Sequence, residues 1–304
     1  MLNPMRSRRS VRLLAASLAG VAALALAGCG SDSDAAGDDA ANPNLVPGNS
    51  KAPLYDELPA EYQDKKITIA RDPGFGVLNS VKDGSKEFDG LNADLAKAIG
   101  AELGAEVELV PAAFAQILVG VNSGRYDMSM SAVTDTLERQ AEVDFVDYLV
   151  VTQSLFVPEG NPKGVTDDIL TACGLKLSVV QGTTDEELFD KIGDACAEAG
   201  KPEPTQVNLD SVDAAYLAIE SGRIDAMIRE NSSNRTDTTA ERVDLPYGSS
   251  YYFGAIFAKD NAELRDAWLA GTEGIIASGE YSSILAENNQ TAIALDKPGI
   301  NLQK

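Results

Sequence analysis

The chain has 304 residues, with 47 acidic side chains against 25 Lys and Arg, no histidine and a formal net charge of −22. So acidic a body argues against nucleic acid and anionic lipid as partners. The missing histidine excludes Ser-His-Asp and Cys-His catalysis and every His-ligated metal site.

In chain order, Arg6, Arg8, Arg9 and Arg12 form a basic start, and an Ala/Leu-rich apolar run from Leu13 to Ala27 follows. Leu26-Ala27-Gly28-Cys29 closes the run with small residues before a cysteine, so residues 1–28 read as a secretory signal. The run is short for a transmembrane helix. The box resembles that of bacterial lipoproteins. It implies diacylation of Cys29 and tethering to the outer face of the cytoplasmic membrane; an ordinary signal peptide is the plainer alternative. Removing residues 1–28 takes four arginines away and leaves a charge of −26. Residues 29–58 are small, polar and acidic and read as a disordered tether, with no calcium-loop spacing.

Order is expected from about Lys66. Lys66–Ala70 alternates as a strand, and Arg71–Gly76 leaves it as a loop. Asn92–Gly104 is a helix with Leu95, Ala98, Ile99 and Leu103 on one face and Gly104 as C-cap. Glu106–Val110 is a strand, and Phe114–Asn122 a helix stopped by Ser123-Gly124-Arg125. Asp127–Ser131 alternates as a strand, a turn follows over Ser131–Thr136, and Thr136 is the expected N-cap of a short helix containing Arg139. This order, β-α-β-α-β, predicts a parallel-type sheet with helices on its faces. Ligands of such sheets sit beyond the carboxyl ends of the strands, where Asp72, Phe75, Phe114 and the Ser131–Thr134 segment fall.

A second unit repeats the plan. Lys176–Val180, Gln206–Leu209 and Ile224–Ile228 are strands. Helices open at Asp185, with three acids in the first turn, and at Ser211. Ser123-Gly124-Arg125-Tyr126-Asp127 and Ser221-Gly222-Arg223-Ile224-Asp225 are near copies at equivalent positions, so two similar lobes are expected. Ala255–Lys259 is a late strand, Leu264–Ile276 and Ser282–Glu287 are helical, and Trp268 is assigned to the core. Cys173 and Cys196, two cysteines of an exported chain, are expected to pair; two reduced buried thiols are the alternative.

Arg139 is out of place on electrostatic grounds. A cation near a helix N-terminus opposes the macrodipole, and the two positive features together invite an anion. A carboxylate fits, with two parallel bonds from the guanidinium and further donors from the preceding turn. The plain reading is a surface pair with Glu138, Glu142 or Asp144. The run Ser131-x-x-Thr134-x-Thr136-x-Glu138-Arg139, followed by Val143-Asp144-Phe145-x-Asp147, resembles the central motif of the family 3 extracellular solute-binding proteins. These are polar amino-acid receptors of ABC importers. The resemblance covers about residues 60–290 and includes Gly90–Ile99, Gln181-Gly182-Thr183-Thr184 and Ser221–Ala226. Leu137, where Pro is common, and Asn288-Asn289, where Lys-Trp is common, depart from the pattern.

The resemblance implies an α/β, two-lobed periplasmic-binding-protein-like fold of type II, with two parallel-type sheets flanked by helices. It places 59–150 and 256–304 in lobe 1 and 151–255 in lobe 2, with two crossings forming the hinge. It assigns Arg139, Thr134 and the Ala132 backbone to a ligand carboxylate, with Thr183 and Thr184 closing from lobe 2, and Ser131 and Gln181 as further pocket positions. Thr183 and Thr184 could equally cap the Asp185 helix. Glu230 is the expected receptor for the ligand ammonium, although the family usually has Asp there and a surface pairing with Arg229 or Arg235 is open. Asp72 could take the ammonium or a polar or cationic ligand side chain, and Phe75 and Phe114 would pack on its aliphatic part. Alternation aims Arg71 and Asp72 differently; if Arg71 or Arg229 faced the pocket, the ligand preference would reverse.

The expected function is capture of a polar or charged amino acid by hinge closure and delivery to an ABC permease, by a monomer with no cofactor and no metal. The rival is an enzyme of the same fold, a dehydratase or lyase acting on a small carboxylic acid with Asp72 and Glu230 as acid and base. No lyase domain follows Lys304, which weighs for the receptor.

Overall fold

Strand pairing is organised by one long strand. The computed structural model describes residues 48–73, 76–82, 87–233 and 238–304. Its elements begin with α1 (Ala60–Gln63), β1 (Ile67–Arg71), β2 (Ser80–Val81), β3 (Phe88–Asp89), α2 (Leu91–Glu102), β4 (Val107–Pro111) and α3 (Phe114–Asn122). Next are β5 (Met128–Thr134), α4 (Leu137–Gln140), β6 (Val143–Val157), β7 (Lys176–Val180), α5 (Asp185–Glu198), β8 (Thr205–Leu209) and α6 (Val212–Glu220). The remainder is β9 (Ala226–Glu230), β10 (Glu241–Asp244), β11 (Ser250–Ala258), α7 (Ala262–Ser278), α8 (Glu280–Glu287) and β12 (Ala294–Ile300).

Strand β6 serves two sheet halves. Residues 143–152 pair with β11, and residues 153–156 pair with β9. The strand order is β4-β1-β5-β11-β6-β9-β7-β8. Within it, β4, β1 and β5 are parallel, as are β9, β7 and β8. Each half is therefore parallel where β-α-β units build it, as expected, and mixed where antiparallel β6 and β11 join. Apolar alternation could not announce β6, because 13 of its 15 residues are buried and the run reads as nearly continuous.

The two halves are built alike at atomic level. In both Ser-Gly-Arg turns the Arg amide returns to the preceding helix, Arg125 to the Gly120 carbonyl and Arg223 to that of Ala218, each at 2.9 Å. The glycine between takes φ of +70° (Gly124) or +67° (Gly222), a left-handed step that glycine makes without steric cost. The Asp that follows clasps the first strand of its own half. Asp127 Oδ2 accepts from the Thr68 amide at 2.8 Å, and Asp225 Oδ2 from the Lys176 amide at 2.9 Å.

The C-terminal elements pack on the first half. β12 pairs with β6, the Tyr281 hydroxyl donates to the Tyr148 carbonyl at 2.7 Å, and Trp268 is fully buried. Residues 48–58, expected in the tether, instead lie against the end of α2. Gly48 donates to the Gly104 carbonyl at 2.7 Å, Leu54 to that of Glu102 at 3.1 Å, and Ala52 and Leu58 are buried. Their polar composition hid two apolar anchors. No described helix is long and apolar enough to cross a membrane.

Cys173 and Cys196 form a disulfide with Cα atoms 5.6 Å apart, tying the segment before β7 to the last turn of α5. Reduction, or Cys173→Ser with Cys196→Ser, is expected to lower unfolding stability by about 3 kcal/mol through the released chain entropy. A urea melt with and without reductant measures this, and coincident midpoints would contradict it.

Candidate functional site

Strand β5 runs further than the alternation suggested. The expected turn over Ser131–Thr136 is strand up to Thr134, and all seven residues of β5 are buried. The irregularity sits inside it: Ala132 has φ of +54°. The other described non-glycine residues with positive φ are all Asn, which tolerates that region. An alanine held there is strained, and such strain clusters at ligand sites. Thr136 caps α4 as expected, its hydroxyl accepting from the Arg139 amide at 3.2 Å.

Arg139 reaches across the molecule. Its Nη1 donates to the Thr134 carbonyl at 2.8 Å, and its Nη2 to the Gly182 carbonyl of the second half at 2.7 Å. Its guanidinium lies 5.9 Å from the Phe114 ring centre. Burial lowers the Arg139 pKa, while Glu230, Glu187, Glu138 and Asp135 oppose that fall through their charge. Asp72 sits behind: its Oδ2 accepts from the Phe114 amide at 2.8 Å, which caps the start of α3. Its own amide donates to Ser131 Oγ at 2.8 Å. Arg139, Phe114, Asp72 and Ser131 thus form one contiguous set.

On the opposite side, Thr183 Oγ1 donates to the Val180 carbonyl at 2.8 Å and accepts from the Asp185 amide at 3.3 Å. Thr184 holds the N-cap position of α5 without a side-chain cap bond. Its Oγ1 is buried with no hydrogen-bond partner among the described residues. Gln153 Nε2 donates to the Thr184 carbonyl at 2.8 Å, fixing the turn to β6. Gln181 is exposed.

The two neighbouring arginines have internal partners. Arg71 Nη2 donates to Asn79 Oδ1 at 2.6 Å and to the Leu78 carbonyl at 3.0 Å. Burial lowers its pKa to about 10. Arg229 contacts both carboxylate oxygens of Asp185 at 3.2 Å and pairs with Glu230. All three are buried, so the pairing of Glu230 with Arg229 is interior and not on the surface. Glu230 itself closes β9, two residues beyond the predicted strand end. Phe75, Arg235 and Cys29 lie outside the described residues.

A cleft of about 450 Å³ opens where the halves meet. Arg139, Thr183 and Thr184 line it together with Glu138, Glu142, Glu186 and Glu187. Sequence reasoning missed this ring of carboxylates. The first-turn acids of α5 and the Glu138-Arg139 pair were visible as dipole partners and surface pairs, but nothing local places α4 opposite α5. The Tyr251 hydroxyl of β11 donates to Glu187 Oε2 at 2.5 Å. Asp72, Phe114, Ser131, Ala132, Thr134 and Glu230 do not line this opening.

A two-part α/β scaffold with an Arg-bearing cleft between its parts is the architecture of a ligand-binding protein that grips between lobes. Solved structures share it. An ancestral arginine-binding protein bound to arginine superposes with a TM-score of 0.64 and 26% identity, covering 73% of this chain and 97% of the other. Among characterised proteins, the arginine-binding protein ArgT of Corynebacterium glutamicum is 28% identical over 243 residues, 78% of each chain. The histidine-binding periplasmic protein of Salmonella typhimurium is 25% identical, over 77% of this chain and 80% of that one. Residues 67–290 match the bacterial extracellular solute-binding proteins, family 3, and the chain belongs to that family.

Proposed function

We propose that the protein is an extracytoplasmic receptor that captures an amino acid with a cationic side chain and passes it to an ABC importer. The observation that carries this is Arg139 spanning the mouth of a cleft rimmed by Glu138, Glu142, Glu186 and Glu187. One fixed guanidinium suits a carboxylate, and a surrounding acidic rim favours a second, positive group on the same ligand. In this reading Arg139, Thr134, the Ala132 backbone, Thr183 and Thr184 hold the carboxylate. Glu230 takes the ammonium, and Asp72, Phe114 and Phe75 meet the side chain, with Ser131 and Gln181 at the margin. The names of the relatives, arginine- and histidine-binding, support the cationic class.

Residues 59–150 with 256–304 and residues 151–255 then act as lobes closing about the β6 and β11 crossings. A tether of about 20 residues, ending near Gly48, joins them to a lipid on Cys29 at the outer face of the membrane. The working unit is a monomer docking on a permease. The enzyme reading is weaker because Asp72 caps α3 and Glu230 is paired with Arg229, which leaves neither as a plain acid or base.

A thermal-shift screen against the amino acids and a few keto and cyclic acids tests this. Arginine, lysine or histidine at about 100 times its Kd should stabilise by about 2.7 kcal/mol, which moves Tm by several degrees. A shift with acidic or keto acids alone would overturn the cationic assignment. Turnover of a cyclic acid would put the enzyme ahead.

A further inference from the structure

Glu230, the proposed ammonium receptor, belongs to a buried ion cluster whose other members, Asp185 and Arg229, no ligand contact explains. Asp185 opens α5 directly after Thr184, and Arg229 and Glu230 end β9. All three are at most 1% exposed. Arg229 Nη1 is 3.2 Å from both Asp185 oxygens, its Nε donates to Ser233 Oγ at 3.3 Å, and its Nη2 meets the Glu230 carboxylate. Asp185 Oδ2 also accepts from the Val180 amide at 3.2 Å. One guanidinium therefore joins the Thr183–Thr184 turn to the end of the strand that carries Glu230.

We infer that Arg229 is a positioning residue that holds the Glu230 carboxylate aimed at the ligand ammonium and offsets the Asp185 charge beside it. The inference rests on the reading that Glu230 receives that ammonium. Two buried carboxylates this close hold one proton between them unless a cation separates them. Burial and the Glu230 charge do push Asp185 up, to about 6, against the pull of Arg229. Burial works against the Arg229 charge, and Asp185 and Glu230 outweigh it and raise its pKa. The other titratable groups facing the cluster include Tyr216 of α6, near Arg229, and Arg139 of α4 and Tyr251 of β11, both near Glu230. Glu187 lies further out on α5 and acts on Arg139. Without Arg229 two buried carboxylates repel each other, and Glu230 loses the fork that aims it at an ammonium. Guanidinium geometry also matters: a lysine supplies the charge but not the fork.

Calorimetric titration of the full chain with L-arginine and with 5-guanidinopentanoic acid, which lacks the α-ammonium, separates this role from general support. Arg229→Gln is expected to lose about 30-fold or more for L-arginine at pH 7, while changing little for the des-amino acid. Asp185→Asn combined with Arg229→Gln removes the competing carboxylate and should recover at least about tenfold. Its neutral cluster also guards against a variant that fails to fold. Equal losses for both probes, or no rescue in the double variant, would show a merely structural residue. Wild-type protein that binds no amino acid would overturn the receptor reading and this one with it, whereas wild-type binding unchanged in Arg229→Gln would overturn this one alone.

Discussion

Arg139→Ala is expected to cost at least about 100-fold in amino-acid affinity, close to 3 kcal/mol, and to erase the ligand-induced rise in Tm. The side chain bonds the Thr134 carbonyl on one side of the cleft and the Gly182 carbonyl on the other. Its loss therefore removes both the proposed carboxylate partner and a link between the halves. Arg139→Lys distinguishes the two contributions. It keeps the charge but cannot make two parallel bonds, so its affinity should fall between wild type and alanine. The variants should fold, because α4 has no buried residue and Arg139 is only half-buried. An unchanged Kd in Arg139→Ala would break the carboxylate assignment.

The second large effect concerns pH. Asp147 and Asp135 are fully buried near the end of the chain. Asp147 Oδ2 accepts from the Leu302 amide at 2.8 Å, and Asp135 Oδ2 from the Gln303 amide at 3.1 Å. Gln140, next to Arg139, donates to Asp135 Oδ1 at 2.8 Å and to the Gln303 carbonyl at 3.0 Å. Burial first, and then the Asp135 charge, push Asp147 up to about 8. The folded chain therefore keeps a proton there that the unfolded chain releases above about pH 4. Folded Asp147 binds more protons than unfolded Asp147 across this window, so its contribution is fully present below pH 4. It fades as pH rises towards 8, by about 1.4 kcal/mol per pH unit. Asp147→Asn mimics the protonated acid. It is expected to flatten the decline between pH 5 and 8 and to make the protein more stable than wild type at pH 8. Urea midpoints at four pH values measure this, and parallel profiles for the two proteins would rule out the proton retained on Asp147.

Local chemistry carried much of the secondary structure. Phe114–Asn122 and Lys176–Val180 fall where the sequence placed them, as does the Thr136 cap, because periodicity, a stop turn and a capping hydroxyl act within a few residues. The repeated Ser-Gly-Arg-x-Asp turns announced two similar halves, since a left-handed glycine and a clasping Asp are short-range devices. The length of β5 escaped because its end, Ser131 to Thr134, looks like a turn. Burial and pairing with β1 and β11 hold it as strand through the strained Ala132.

What the sequence determined by itself is the composition of the parts: an acidic chain without histidine, parallel β-α-β units, a paired cysteine loop, and an Arg at the start of a short helix. The tertiary structure decided how those parts meet. β6 runs through both halves because its long apolar stretch is buried by different partners along its length, a choice that no local pattern encodes. The return of α7, α8 and β12 to the first half is likewise a long-range pairing. The acidic rim arises because α4 and α5, 45 residues apart by the separation of Arg139 and Thr184, are brought face to face. The Asp185–Arg229–Glu230 cluster forms because folding takes all three charges out of water together, so that the guanidinium meets both carboxylates. Charges in a sequence are solvated by default, and only folding decides which are taken out of water and against what.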